Sequence, residues 1–346
     1  MSRLLSTVSA ITFIAGTYAS ADIPKVVADI APIHSLVSRV MDGVGEPKLI
    51  VPNETSPHDY RLRPADAEAI ENANLVFWMG EGLTPWMERA LEALSNDTDI
   101  IEFLALEEST LLSFREGALF EAHDHSDHDD HDKDHDDHDD HDDHDKDHDD
   151  HDDHDDHDKD HDDHDDHDDH AGHDHGEYDP HAWLSTNNAK TWLNVIAARL
   201  SSIDPDNAGA YFANASEARG EMDALDVEIN TMLDPVRGGK FVVFHDAYQY
   251  FETVYDFPAS GAISLGDASD PSAARVAEIA NRIKSENIAC VLSEPQFNAG
   301  LVKTVMGGTD ATTEVIDPLG FGIEPGKSLY PKLIRAMAQS LVNCLK

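Results

Sequence analysis

The sequence predicts an α/β protein of two halves separated by one long helix. Short apolar runs alternate with amphipathic segments along most of the chain, as expected for strands connected by right-handed helical crossovers. Runs that are apolar on both faces indicate buried strands of mainly parallel sheets. Residues 205–233 differ from the rest, because this stretch is rich in Ala, Glu, Asp and Leu with few helix breakers.

The elements follow in chain order. We expect strands at residues 25–30, 48–51, 75–79, 240–244, 288–292 and 313–316. Amphipathic helices are expected at residues 64–73, 84–94, 271–286 and 329–342. In the long helix, the apolar positions with helical spacing are Tyr211, Phe212, Ala215, Met222, Leu225, Ile229 and Leu233. The expected domains are residues 22–204, a linking helix at 205–234, and residues 235–346.

Residues 1–21 have the features of a secretory signal. Arg3 precedes an apolar run at residues 4–17, and Ala19-Ser20-Ala21 is typical of a cleavage site before Asp22. The alternative is an N-terminal anchor, but the run is too short and too interrupted to span a bilayer. We therefore expect export to an oxidising compartment, most simply a bacterial periplasm.

Two cysteines are present, Cys290 and Cys344. They are either buried free thiols or a disulfide, and export favours the disulfide. The chain as a whole is acidic, with a net charge of -46, so nucleic acid and anionic membrane surfaces are poor partners.

Residues 122–176 form a tract of His and Asp, hereafter the His/Asp tract. It contains 18 His, 29 Asp and 3 Lys, and HDKDHDDHDDHDD occurs three times in succession from His131, His144 and His157. Such a low-complexity acidic repeat cannot bury apolar surface, so we expect disorder. An acidic linker is the simpler alternative, but a linker does not require imidazoles.

Imidazole beside carboxylate suits zinc first, with nickel or copper as alternatives. The tract offers many weak sites rather than one defined geometry. The candidate ligands are His123, His125, His128, His131, His135, His138, His141, His144, His148, His151, His154, His157, His161, His164, His167, His170, His173 and His175.

Four histidines lie outside the tract. His58 and His245 come after predicted strands, and ligand sites of α/β sheets collect at the carboxyl ends of strands. His181 lies in the turn sequence YDPHAWLS, and Asp317 follows another predicted strand. Three imidazoles with a carboxylate or water make a plausible tetrahedral zinc site. His34 is expected near the start of a helix, outside this site.

Several strings resemble one family closely. SPHDYRLRPADA around His58, DPHAWLS around His181, FVVFHDAYQYF around His245, LSEPQF after Cys290 and DPLG at Asp317 occur in the order expected. With the His-rich loop, they make the chain similar to the ZnuA type of periplasmic metal-binding subunit of bacterial zinc ABC importers, among the cluster A-I proteins. The resemblance covers nearly the whole chain after the signal.

The resemblance implies two lobes joined by one rigid helix, with the metal in the cleft between them. It implies His58, His181 and His245 as ligands, zinc as transported ligand, and a membrane permease as partner. Pro57 stands where some zinc members carry an acidic residue. The fourth ligand is therefore Asp317, Glu54 or water.

The expected function is zinc capture and delivery by a monomer without enzymatic activity, with a periplasmic zinc chaperone as a further partner. The tract would serve as a low-affinity reservoir or a sensor. Alternatives are a zinc buffer or storage protein, a manganese importer subunit, and a zinc hydrolase. The chain has no HExxH or GxSxG motif to support the last.

Overall fold

The structure is a computed structural model that describes residues 23–58, 60–95, 98–115, 120, 178–264, 266, 271–296 and 299–346. The expected signal peptide and the His/Asp tract lie outside these described residues. Within the described residues, no helix combines the length and apolar character needed to cross a bilayer.

The first lobe contains a parallel four-stranded sheet with the strand order β2-β1-β3-β4. Its strands are β1 (Val26–Ala28), β2 (Lys48–Leu49), β3 (Leu75–Trp78) and β4 (Asp99–Glu102). Its helices are α1 (Ala31–Val40), α2 (Pro64–Glu71), α3 (Pro85–Leu94) and α4 (Thr186–Ile203). The first three helices each have proline in the first turn, where no intrahelical N–H bond is lost.

The second lobe repeats this plan with the strand order β6-β5-β7-β8, again all parallel. Its strands are β5 (Phe241–His245), β6 (Ala262–Ser264), β7 (Cys290–Ser293) and β8 (Thr312–Val315). Its helices are α6 (Gln249–Tyr255), α7 (Ala273–Glu286), α8 (Ala299–Val305) and α9 (Leu329–Leu345). The predicted α/β class with two lobes of parallel sheet is confirmed.

Helix α5 (Ala208–Leu233) runs between the lobes in sequence and packs against α4, α9 and α1. A short 3-10 turn at Pro205–Asn207 precedes it, so the α-helix begins three residues later than expected. One predicted apolar position is wrong, because Phe212 is 52% exposed. The buried stripe instead includes Ala218, which lies on the same face as Ala215 and Met222.

Strand β5 shows why the second sheet is buried on both faces. Phe241 and Val243 belong to the large core that continues into α5 and the first lobe. The alternate residues Val242 and Phe244 pack with the apolar faces of α7 and α8 in a separate cluster. The carboxyl end of this strand, where His245 lies, is therefore fixed by packing on both sides.

The predicted disulfide between Cys290 and Cys344 is confirmed, with its Cα atoms 5.6 Å apart. It joins β7 to the last turn of α9 across 54 residues. On the chain-entropy treatment, a loop of this length stabilises the fold by about 4 kcal/mol. The terminal helix is thereby attached to the strand next to β5.

Candidate metal centre

His245 is the last residue of β5 and is only 3% exposed. Its Nδ1 lies 2.6 Å from Oε1 of Glu294, the residue that follows the neighbouring strand β7. Glu294 is also buried. Because a carboxylate accepts hydrogen bonds, Nδ1 of His245 is the donor in this contact, and Nε2 is the ring nitrogen left to face a cation.

His181 has the same arrangement, built from a turn. Its Nδ1 lies 2.7 Å from Oδ1 of Asp179, and its backbone N–H donates to the same oxygen. The other oxygen of Asp179 accepts from the side chain of Gln249 in α6, and the backbone carbonyl of Asp179 accepts from the hydroxyl of Tyr250. The ring of His181 is therefore oriented by a carboxylate that the second lobe holds in place.

The opposite nitrogens of these two rings converge. Nε2 of His181 and Nε2 of His245 are 3.4 Å apart. Two imidazole nitrogens on one tetrahedral zinc, each with a bond of about 2.05 Å, are separated by roughly 3.3 Å. The pair thus has the spacing of two ligands to the same ion.

His58 lies farther out, on the loop between β2 and α2. Its ring centroid is 6.4 Å from that of His181, whereas His181 and His245 are 5.3 Å apart. Rings bound to one tetrahedral zinc through Nε2 have centroids about 5 Å apart. In the described part of the chain, no three His, Cys, Asp or Glu side chains are already grouped closely enough to hold a metal. The ring of His58 is thus farther from the ring of His181 than the ring of His245 is.

A small cavity lies between the three rings. Its free volume is about 20 Å³, which accommodates roughly one water-sized particle. The residues that line it are Ser56, Pro57, His58, His181, Trp183, His245, Glu294, Gln296, Pro318 and Leu319. A space of this size can hold a single ion.

The two carboxylates that the sequence suggested as a fourth metal ligand are not among the residues that line the cavity. Asp317 does not line the cavity, and its carboxylate accepts from the backbone N–H groups of Leu319 and Phe321 and from Gln296. Burial raises the pKa of Asp317, although these hydrogen bonds oppose the rise. Glu54 is exposed in the turn before His58. His34 lies in α1, where its Nε2 contacts the carbonyl of Pro47.

Sequence reasoning did not assign the two carboxylates that orient the imidazoles. Asp179 stands two residues before His181, so this spacing was a usable signal. Glu294 lies 49 residues from His245 and meets it only because β5 and β7 are neighbours. The LSEP string marked the position of Glu294 but not its role.

The described flanks of the His/Asp tract lie beside this site. Ser113 forms an isolated antiparallel bridge with Tyr178. Arg115 is paired with Asp246, the residue after His245, and with Glu252 in α6. Both carboxylates are buried, so Arg115 supplies their compensating charge.

The chain was compared with known families and proteins. The model of a family described as "ZnuA: Zinc-uptake complex component A periplasmic" matches residues 26–344. The "High-affinity zinc uptake system protein ZnuA" of Brucella abortus (strain 2308) is 44% identical over 100% of this chain and 99% of that protein. The protein of the same name from Paracoccus denitrificans is 44% identical over 94% and 93%.

Two solved structures share the fold. A crystal structure of ZnuA has a TM-score of 0.68 at 21% identity, and covers 94% of this chain and 100% of that chain. The solute-binding protein FpvC from Pseudomonas aeruginosa, solved in complex with Mn2+, has a TM-score of 0.69 at 18% identity and covers 94% and 99%. At these identities, the comparison concerns the two-lobed architecture alone.

Proposed function

The chain belongs to the family of periplasmic component A of zinc-uptake complexes, and we propose that it captures one zinc ion in its cleft and delivers it to the membrane permease of an ABC importer. The family consists of solute-binding proteins, which are not enzymes. The observation that carries the proposal is the 3.4 Å separation of two carboxylate-oriented Nε2 atoms. Both the spacing and the donor type suit zinc.

The proposed ligands are His58, His181 and His245. The fourth position belongs to Asp317, Glu54 or a water molecule. Asp317 would have to give up its backbone hydrogen bonds to reach the ion, and Glu54 would have to turn inward from solvent. A water requires neither change and fits the small cavity, so the contacts favour water.

Manganese is the main alternative cargo. Manganese prefers carboxylate, carbonyl and water oxygens, whereas three imidazoles suit zinc. The two carboxylates nearest the paired rings, Asp179 and Glu294, are engaged with imidazole Nδ1 atoms. The cavity lining holds three imidazole rings beside the oxygen-bearing side chains of Ser56, Glu294 and Gln296, and three imidazoles in one site favour zinc over manganese.

Further parts of the proposal rest on the sequence. Residues 1–21 would be removed on export to the periplasm, and the mature chain would act as a monomer. The tract at 122–176 would hold zinc weakly as a reservoir or report its abundance, and a periplasmic zinc chaperone would be an additional partner. That the partner is a membrane permease follows from membership of the family.

A calorimetric zinc titration of the full chain tests the ligand assignment. Each of three variants should lose zinc affinity at the tightest site: His58→Ala, His181→Ala and His245→Ala. Changing a residue that only hydrogen-bonds to a metal ligand weakens affinity by roughly 10- to 100-fold, and removing a ligand should weaken it more. His34→Ala is the matched control, because its ring lies in α1 and bonds a backbone carbonyl. Unchanged affinity in all three ligand variants would refute the assignment.

A further inference from the structure

The loop that carries His58 is attached to both lobes. The side-chain amide of Asn53 donates to the carbonyl oxygens of Gly320 and Ile323 in the second lobe, the latter at 2.9 Å. The carbonyl of Pro57 accepts from the indole N–H of Trp86 in α3 of the first lobe, at 2.8 Å. The two attachments are only four residues apart, directly before His58.

Asn53 is not a surface contact. Its residue is 3% exposed, so losing its partners would leave a buried amide unsatisfied. The free-energy cost of an unsatisfied amide favours the conformation in which Asn53 keeps both carbonyl partners. Water cannot readily replace these acceptors, because the site is buried. The amide donates both of its protons across the boundary between the lobes.

The receiving loop is itself preorganised. Asp317 accepts from the backbone N–H groups of Leu319 and Phe321, which folds the loop after β8 back on itself. Gly320 has φ +86°, a conformation that glycine adopts without strain. Its carbonyl also accepts from the N–H of Ile323, at 3.0 Å. The acceptors that face Asn53 are therefore held in place by the second lobe.

We propose that Asn53 is a positioning residue that holds the His58 loop against the second lobe and so sets the rate at which zinc is released. This inference rests on the proposed function. His245 belongs to the second lobe, and His58 reaches the same ion only while its loop stays attached there. When the lobes move apart, the Asn53 contacts break and His58 is the first ligand to leave.

Zinc release from the full chain tests this inference. The protein is loaded with one equivalent of zinc and mixed with an excess of chelator in a stopped-flow instrument. Asn53→Ala should release zinc roughly tenfold faster, the effect of losing one to two net hydrogen bonds. Asn214→Ala is the matched control, because that amide also donates to two backbone carbonyls, those of Val40 and Asp42, far from the cleft.

The cobalt-substituted protein gives a second readout. Its visible ligand-field spectrum reports the ligand set, so Asn53→Ala should shift it and Asn214→Ala should not. If Asn53→Ala does not fold, Asn53→Leu serves instead, since it keeps the volume of the buried side chain and removes both donors to the second lobe; it too should accelerate release.

The outcomes separate the two proposals. Release rates and cobalt spectra of the Asn53 variants that match the Asn214 control would overturn the role of the loop, while tight binding would keep the proposed function intact. Absence of any tight zinc site in the unaltered chain would overturn the proposed function and this inference with it.

Discussion

Individual carboxylates set the direction of two imidazole rings at the candidate metal centre. Asp179 and Glu294 each fix one imidazole through Nδ1, although one belongs to a turn and the other follows a strand. A carboxylate partner also makes the opposite ring nitrogen a stronger donor. The two paired rings are thus held with their Nε2 atoms facing each other.

Neutralising these carboxylates should weaken zinc binding. Glu294→Gln and Asp179→Asn replace a charged acceptor by a weaker amide, and each should reduce zinc affinity by about 10- to 100-fold in chelator competition. Glu228→Gln is the control, since this exposed carboxylate pairs with Arg335 away from the cleft. Affinities equal to that control would mean that these carboxylates only support the fold.

At the residue level, the sequence predicted the candidate ligands better than their surroundings. His58 and His245 could be proposed because they follow predicted strands, and His181 because it lies in a distinctive turn. Asn53 carried no such signal, because its partners Gly320 and Ile323 lie more than 260 residues away. Contacts between the lobes depend on how whole helices, strands and loops pack together. The spacing of residues along the sequence does not indicate this packing.

Among the elements, the unpredicted strands are short and lie at sheet edges. Strand β6 spans three residues, Ala262–Ser264, and β4 begins and ends with an acidic residue. A strand of three or four residues offers too few positions for a pattern of burial to stand out in the sequence. Central strands such as β5 are buried on both faces and were predicted for that reason.

Helix α5 allows a direct test of backbone effects. Gly220 lies exposed in the helix interior, with no neighbouring atom within 4 Å of the place that an added methyl group would occupy. Gly220→Ala should therefore raise the free energy of unfolding by about 0.5–1 kcal/mol. Gly238→Ala is the comparison, because Gly238 is equally open but has φ +79°. That variant should be destabilised. Chemical denaturation measures both, and equal shifts would contradict the backbone argument.

At the scale of the whole molecule, negative charge and histidine side chains are concentrated in the His/Asp tract rather than in the two lobes. The His/Asp tract holds 18 of the 22 histidines and contributes -26 of the net charge of -46. The described part of the chain holds the other four histidines, three of which surround the cavity. We therefore expect capacity to depend on the tract and affinity on the cleft.

Removing residues 122–176 tests this division. Deletion should lower the number of zinc ions bound per chain and leave the dissociation constant of the tightest site within about twofold, because the proposed ligands are elsewhere. Calorimetric titration of both forms measures stoichiometry and affinity together. Loss of the tight site on deletion would support the buffer or storage alternative instead.

The bridge between Ser113 and Tyr178 has a consequence for how such a chain can vary. Since the flanks of the tract already meet there, adding or subtracting a thirteen-residue HDKDHDDHDDHDD unit leaves the meeting point unchanged. Doubling the number of residues between two fixed ends costs only about 0.6 kcal/mol in loop-closure entropy. Gain or loss of one repeat is therefore expected to leave the fold on either side of Ser113 and Tyr178 intact.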